Sequence, residues 1–200
     1  MKKHSGFSLI ELMITLFIVG ILITIGIPSI RHFMQSNQLV ASSNELVSAL
    51  HVARSEAIKL NRKITICISS DGTSCGASNK WQSGWIVFVD ANDDRAGTGV
   101  VCGDKASIDT DCLLRVHARV DDAKLSITGK YDDTSNDIKW FTFTSRGLPK
   151  DTGASSSGVF SVCSYDDSDN VIGSRAVVLS LSGRVRVSDN VAIIKCPATP

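Results

Sequence analysis

Residues 7–30 form an apolar run broken by one charge, Glu11; every other residue in it is apolar, small, or a Thr, Ser or Pro. As an α-helix these 24 residues extend ~36 Å at ~1.5 Å per residue, enough to cross the ~30 Å hydrocarbon core of a bilayer. Lys2, Lys3 and His4 precede the run, so the N-terminus is expected to stay cytoplasmic and the remainder to be exported. A cleaved secretory signal places a small-residue site after its apolar run, but no A-x-A-like site follows here. The small residue, Gly6, precedes it. A plain signal anchor leaves Glu11 unexplained, because a carboxylate in a transmembrane helix costs up to roughly 2.5–3.5 kcal/mol at the bilayer centre and normally has a partner.

The stretch KKHSGFSLIEL combines a short basic leader, a Gly, a Phe and a Glu four residues later. It resembles the class III signal of type IV prepilins. The resemblance implies that a prepilin peptidase cuts between Gly6 and Phe7 and methylates the new N-terminus at Phe7. It also implies that Glu11 faces the N-terminal ammonium of a neighbouring subunit in a filament. Pairing there offsets the desolvation of both charges, and an out-of-register subunit leaves one charge buried alone. Glu11 then acts in register and assembly, with other major and minor pilins as partners and the inner membrane as the location before assembly.

No Pro or Gly occurs between Ile30 and Asp71. Leu39, Ser43, Leu46, Leu50, Ala53, Ala57 and Leu60 follow spacings of three and four, which makes one continuous stripe on a helix. The helix is therefore expected to leave the membrane and pack this stripe on a soluble partner, with Gly20, Gly26 and Pro28 as points where its first half can bend or melt. A two-stranded coiled coil fits less well, since three of the seven stripe positions are Ser or Ala and a β-rich region follows.

From Lys63 the period changes to two: Ile64, Ile66 and Ile68 alternate with Thr65, Cys67 and Ser69. WIVFVD, LLRVHARV, KLSI, IKWFTFT, GVFSVCS, RAVVLSLS and RVRVS read as further strands, separated by clusters of Gly, Asp, Asn and Ser. The expected class is α+β, one long N-terminal helix, transmembrane and then amphipathic, packed on antiparallel β-sheet. WQSGWIVFVDANDD resembles the W-x-x-G-W-x-x-F-x-D-x-N-x-D signature of GspH/FimT-type minor pilins, and FTSRGLPKD, GVFSVC and LSLSGRVRV resemble that family's C-terminal half. This implies a pilin-like fold with two β-sheets. The expected organisation is a leader at 1–6, a transmembrane half-helix at 7–30, an amphipathic half-helix at 31–62 and a β-rich globular domain at 63–200.

The six cysteines contain no CxxC and have no histidine beside them, which disfavours zinc and favours disulfides in an oxidising compartment. Fifteen pairings are open. Nearest-neighbour closure is expected: Cys67 with Cys75, Cys102 with Cys112, and Cys163 with Cys196. Asp90, Asn92 and Asp94 imitate the start of a calcium loop, but Arg95 stands where Gly is needed and Val101 where a bidentate Glu belongs, so an Asx-rich turn and no metal are expected. The histidines, His4, His32, His51 and His117, are scattered. No HExxH, GxSxG or phosphate loop occurs, so neither an enzyme nor a cofactor is expected.

Charge is nearly balanced, 21 Lys+Arg against 20 Asp+Glu, which excludes nucleic-acid binding by bulk charge and leaves only local patches. One such patch is SGRVRVS. Arg184 and Arg186 repeat at strand period, and paired guanidinium groups suit phosphate. Gly183-Arg184-Val185-Arg186 resembles the G-R-x-R motif of FimT proteins involved in DNA uptake, which implies binding of double-stranded DNA for natural transformation. Lys195, with Arg146 or Lys150, extends the expected patch; an ordinary solvent face of an amphipathic strand is the other reading. The expected function is a minor pilin at or near the tip of a type IV pilus that helps assembly and is extracellular once assembled. The alternative is a GspH-like pseudopilin of type II secretion.

Overall fold

The computed structural model describes residues 8–102, 110–120, 124–132, 136–150 and 157–198, without the side chains at 25–29, 31 and 32. Gly6 and Phe7 lie outside the described residues. One helix, α1, runs Leu9–Leu60. Its backbone stays α-helical through Gly20, Gly26 and Pro28, so none of the three breaks it. Pro28 withdraws a single N–H from the ladder. The helix stops in a Schellman arrangement: Asn61 takes a left-handed conformation (φ 53°), its N–H bonds to Ile58 O (3.3 Å), and the Arg62 N–H reaches back to Ala57 O (3.2 Å).

Residues up to Gln38 make one compact unit and Leu39 onward another. In the first, the large apolar side chains from Leu9 to Ile23 are exposed. Thr15 and Thr24 donate their hydroxyls to Leu12 O (2.9 Å) and Ile21 O (2.8 Å), which satisfies these polar groups within the helix. Among the described residues no helix is long and apolar enough to cross a membrane.

In the second unit eight strands follow: β1 Ile64–Ile68, β2 Trp85–Val89, β3 Cys112–His117, β4 Leu125–Tyr131, β5 Trp140–Phe143, β6 Gly158–Tyr165, β7 Val171–Leu179 and β8 Val185–Ser188. They form two four-stranded antiparallel sheets, ordered β3-β2-β1-β5 and β4-β6-β7-β8. The fold is α+β. Leu39, Leu46, Leu50, Ala53 and Ala57 of the helix share one core with Ile64, Ile66, Val87, Val89, Phe141 and Phe143 of the first sheet and Ile127, Phe160, Val162, Val177 and Leu179 of the second. Burying Leu46 and Leu50 contributes ~1.5–3 kcal/mol each. Ser43, in the same stripe, stays buried by donating to Leu39 O (2.7 Å).

Two differences from the sequence pattern are informative. β4 and β7 extend beyond the periodic stretches, to Tyr131 and back to Val171. β1 is buried on both faces, Thr65 and Cys67 included. A second small cluster, Cys67, Ile86, Phe88 and Leu113 with Cys75 and Trp140 against it, covers the face turned away from the helix.

The segment WQSGW links the two sheets. A 3-10 turn, Trp81–Ser83, buries Trp81 edge-on to Phe160 of β6 (5.0 Å), and its indole N–H donates to Ile138 O (2.7 Å). Gln82 accepts from the Ile127 N–H through its side chain (3.0 Å) and from the Val120 N–H through its backbone (2.9 Å). Trp85 stacks on His117 at 3.9 Å. Gly84 has φ 107°, and a Cβ there would lie 2.7 Å from His117 O and 2.8 Å from Ser69 O. The tryptophans and the glycine therefore have architectural work.

Three disulfides are present: Cys67–Cys75, Cys102–Cys112 and Cys163–Cys196, each joining nearest neighbours in sequence. The first closes a loop organised by Asp71, whose carboxylate accepts from the Ser74 hydroxyl and the backbone and side chains around it. Those hydrogen bonds, Ser74's first, hold Asp71 well below the usual carboxylate range.

Candidate functional site

Glu11 sits in the first turn of α1, where a carboxylate complements the positive end of the helix dipole. Around it Leu9, Ile10, Leu12 and Met13 are exposed. This surface combines one acid with a broad apolar face.

The basic segment is built differently. Ser180 accepts from the Gly183 N–H (2.8 Å) and donates its own N–H to Arg184 O (3.0 Å), which closes a tight turn before β8. Gly183 is buried with φ 73°, and a Cβ there would collide with Gly147 O. Gly147 lies in the facing turn after β5 and packs on Ile58 of the helix. Arg54 clamps the pair from the helix by donating Nη2 to Ser182 O (3.2 Å). The glycine of the G-R-x-R stretch thus serves a turn-on-turn contact.

Arg184 and Arg186 are both exposed, and Val185 between them is buried. Arg186 pairs with Val178, Val178 with Val159, and Val159 with Lys130, so these four side chains occupy one cross-strand row on one face of the second sheet. Lys130 is partnered by Asp137 (2.8 Å). Lys195 shares this face, with its N–H on Ser161 Oγ (2.9 Å), but Ser161 is separated from β8 by β7. Its backbone is therefore roughly 10 Å from β8 at ~4.8 Å per strand. Arg146 is exposed in the turn that carries Gly147, close to Gly183. Lys150 does not join the patch: its ammonium is bound to Asp93.

The loop after β2 holds the acidic residues. Asp90 is fully buried, and its Oδ2 accepts from Thr65 Oγ1 (2.7 Å), which in turn lies 2.7 Å from Thr142 Oγ1. Burial pushes the Asp90 carboxyl up against the opposing effect of the Thr65 hydrogen bond and the Arg95 N–H, and the neighbouring Asp93 and Asp111 add to the rise. For Asp93, burial is outweighed by the ammonium groups of Lys150 and Lys63, and the carboxyl is held down. Arg95 lies over the Trp140 ring at 4.1 Å. Asn92 and Asp94 form Asx turns, with Asp94 Oδ1 accepting from the Ala96 N–H (2.8 Å). Asp111, which the sequence pattern does not connect to this loop, accepts from the Ala91 N–H (2.8 Å).

The family model described as Type II transport protein GspH matches residues 42–183, most of the chain. The chain belongs to the GspH family. The prokaryotic N-terminal methylation motif matches residues 1–27 ahead of this GspH-family region and marks a membrane-anchored subunit. A protein of Pseudomonas aeruginosa called "Fimbrial protein" is 42% identical over 64 residues, 32% of this chain and 41% of the relative. The match thus spans about two fifths of that relative's length. Among solved structures, the type IV minor pilin FimU of Pseudomonas aeruginosa aligns with a TM-score of 0.51 at 23% identity, covering 78% of this chain and 92% of FimU. The likeness is one of fold. The minor pseudopilin EpsH from the type 2 secretion system of Vibrio cholerae aligns with a TM-score of 0.44 at 12% identity, covering 76% of this chain and 97% of EpsH.

Proposed function

We propose that this GspH-family protein is a minor pilin of the type IV pilus, incorporated at or near the tip, where it helps assembly. The observation that carries the reading is the N-terminal one: a methylation motif runs directly into a helix whose large apolar side chains are exposed around a single first-turn carboxylate. Such a surface is stable only when covered, by lipid before assembly and by the helices of other pilins after it. A relative called "Fimbrial protein" favours the pilus over the type II secretion alternative. In this reading residues 1–6 are a leader removed by a prepilin peptidase after Gly6, Phe7 carries the new methylated N-terminus, and Glu11 pairs with a neighbour's ammonium. The 7–30 half-helix holds the protein in the inner membrane; the rest of the helix and the globular domain at 63–200 are periplasmic and then extracellular.

A Glu11→Ala variant should lose its leader normally, remain in the membrane fraction, and enter sheared surface filaments about tenfold less or worse, as expected for leaving an ammonium unpaired at a buried contact. Immunoblots of sheared and membrane fractions measure this. Equal incorporation of variant and wild type would exclude the register role. A deletion strain with intact surface pili and lost protein secretion would favour the pseudopilin alternative.

A second reading, capture of double-stranded DNA, is favoured by the exposure of Arg184 and Arg186 beside the exposed Arg146. Two or three phosphate contacts give sequence-independent binding whose logarithm falls with log salt at a slope of about −2 to −3. Mobility shifts with the detergent-solubilised full chain should show that slope for wild type. Arg184→Ala with Arg186→Ala should abolish the shift. A shift insensitive to salt, or retained in the double variant, excludes the reading.

A further inference from the structure

Asp90 directly follows β2 and Asp111 directly precedes β3, and the antiparallel pairing of Val89 with Cys112 brings them together across the sheet. Asp94 reaches the same place from the loop. One carboxylate oxygen of each lies within 4.8 Å of those of the others. Oxygens sharing a calcium ion at about 2.3–2.6 Å are at most about 4.6–5.2 Å apart, so the spacing fits a single ion.

Convergent acids alone are common, and the second observation is Asp90 itself. It is 0% exposed. Thr65 occupies Oδ2, while Oδ1 is buried with no hydrogen-bond partner. The Arg95 N–H lies near the carboxylate without making a hydrogen bond to Oδ1. A buried acceptor left unmade is costly, more so for a carboxylate. The nearby cations do not serve it: Lys63 and Lys150 both bind Asp93, and Arg95 also turns toward Asp93. The Ala91 N–H orients Asp111, and Asp94 accepts from the Ala96 N–H at Oδ1 and from the Asn92 side-chain amide at Oδ2 (2.8 Å), which leaves each of these oxygens a further lone pair.

We propose that Asp90, Asp94 and Asp111 bind a divalent cation, and that calcium is the cation. The donors are all carboxylate oxygens, with no His or Cys, which suits hard cations over zinc or copper. Calcium tolerates irregular oxygen shells, whereas magnesium demands near-ideal octahedra at shorter distances. The calcium-loop pattern fails at Arg95 and Val101 because the third acid comes from across the sheet and not from the end of the loop. The ion ties the 90–94 loop to the start of β3, beside the Cys102–Cys112 disulfide. With three protein carboxylates and water completing the shell, the affinity belongs to the weak extracellular class, about 10⁻⁴–10⁻³ M.

The test is thermal unfolding of the full chain in detergent, stripped with EGTA and titrated with calcium chloride. The expected result is a saturable rise of about 3–5 °C by about 10 mM calcium, reversed by EGTA. Asp111→Asn and Asp94→Asn should each weaken the half-saturating concentration at least about tenfold. Asp94 is exposed, so its variant keeps the test valid if Asp90→Asn or Asp111→Asn fails to fold. No saturable shift, a shift matched by sodium chloride of equal ionic strength, or a shift unchanged in Asp94→Asn overturns the site. A larger shift with magnesium overturns the assignment to calcium. None of these outcomes depends on the pilus reading.

Discussion

Replacing Cys163 and Cys196 together by alanine should lower the unfolding free energy by about 3–4 kcal/mol and the melting temperature by roughly 7–14 °C. The bridge spans 33 residues, against 8 and 10 for the other two, and closing a longer loop removes more entropy from the unfolded chain. It also ties β6 to a tail with few other anchors. Lys195 N–H bonds to Ser161 Oγ, and the Tyr165 hydroxyl donates to Pro197 O at 2.7 Å. Alanine is the right replacement at Cys163, which is fully buried, because serine would add a hydroxyl with no partner. The Cys67–Cys75 and Cys102–Cys112 pairs, replaced likewise, should each cost about 2.5 kcal/mol. Denaturant unfolding of the three double variants, in detergent without reductant, checks the order. A smaller loss at Cys163–Cys196 than at the short loops would show that the tail gains nothing from its bridge.

Local periodicity made the helix and the strands legible. The stripe from Leu39 to Ala57 is buried because three-and-four spacing puts those side chains on one face, and Ser43 fits there because its hydroxyl bonds one turn back. Alternation located all eight strands. It did not reveal their division into two sheets, because β4 pairs with β6 and not with β5, a choice made by packing across long sequence separations. Nor did it reveal that Thr65 and Cys67 are buried. The polar face of β1 is covered by the loop held by Cys67–Cys75, and Thr65 is satisfied there by Asp90 and Thr142.

The same limit applies to the sites. Arg184 and Arg186 were visible as a basic pair, but Lys150 was spent on Asp93, a partner that sequence spacing does not indicate. Asp90, Asn92 and Asp94 were visible as half of a calcium loop. Asp111 was not, because only the β2–β3 register brings it to them. The N-terminal segment is the opposite case: its information is linear, a small residue, a Phe and a Glu ahead of an apolar run, so the sequence alone carried it.

Gly183→Ala should destabilise the protein by about 3 kcal/mol, with a melting temperature lower by roughly 6–12 °C. Part of the cost is conformational, since at φ 73° an L side chain meets its own backbone, about 1–2 kcal/mol. The remainder is steric. The added methyl would run into Gly147 O, and that carbonyl cannot retreat easily because its own turn packs on Ile58. Arg54 lies against the same point and holds Ser182 O, so the helix clamp would loosen too. Arg184→Ala and Arg186→Ala, at exposed side chains, should change stability by no more than about 0.5 kcal/mol each. This contrast matters for any test of DNA capture. Loss of binding in Gly183→Ala can follow from a displaced turn, whereas loss in the double arginine variant at unchanged melting temperature reports the guanidinium groups themselves. Melting curves and mobility shifts measured on the same preparations separate the two. If Gly183→Ala melts with wild type, the turn-on-turn contact does not hold this end of the sheet, and the glycine then has to be explained by what the arginines bind.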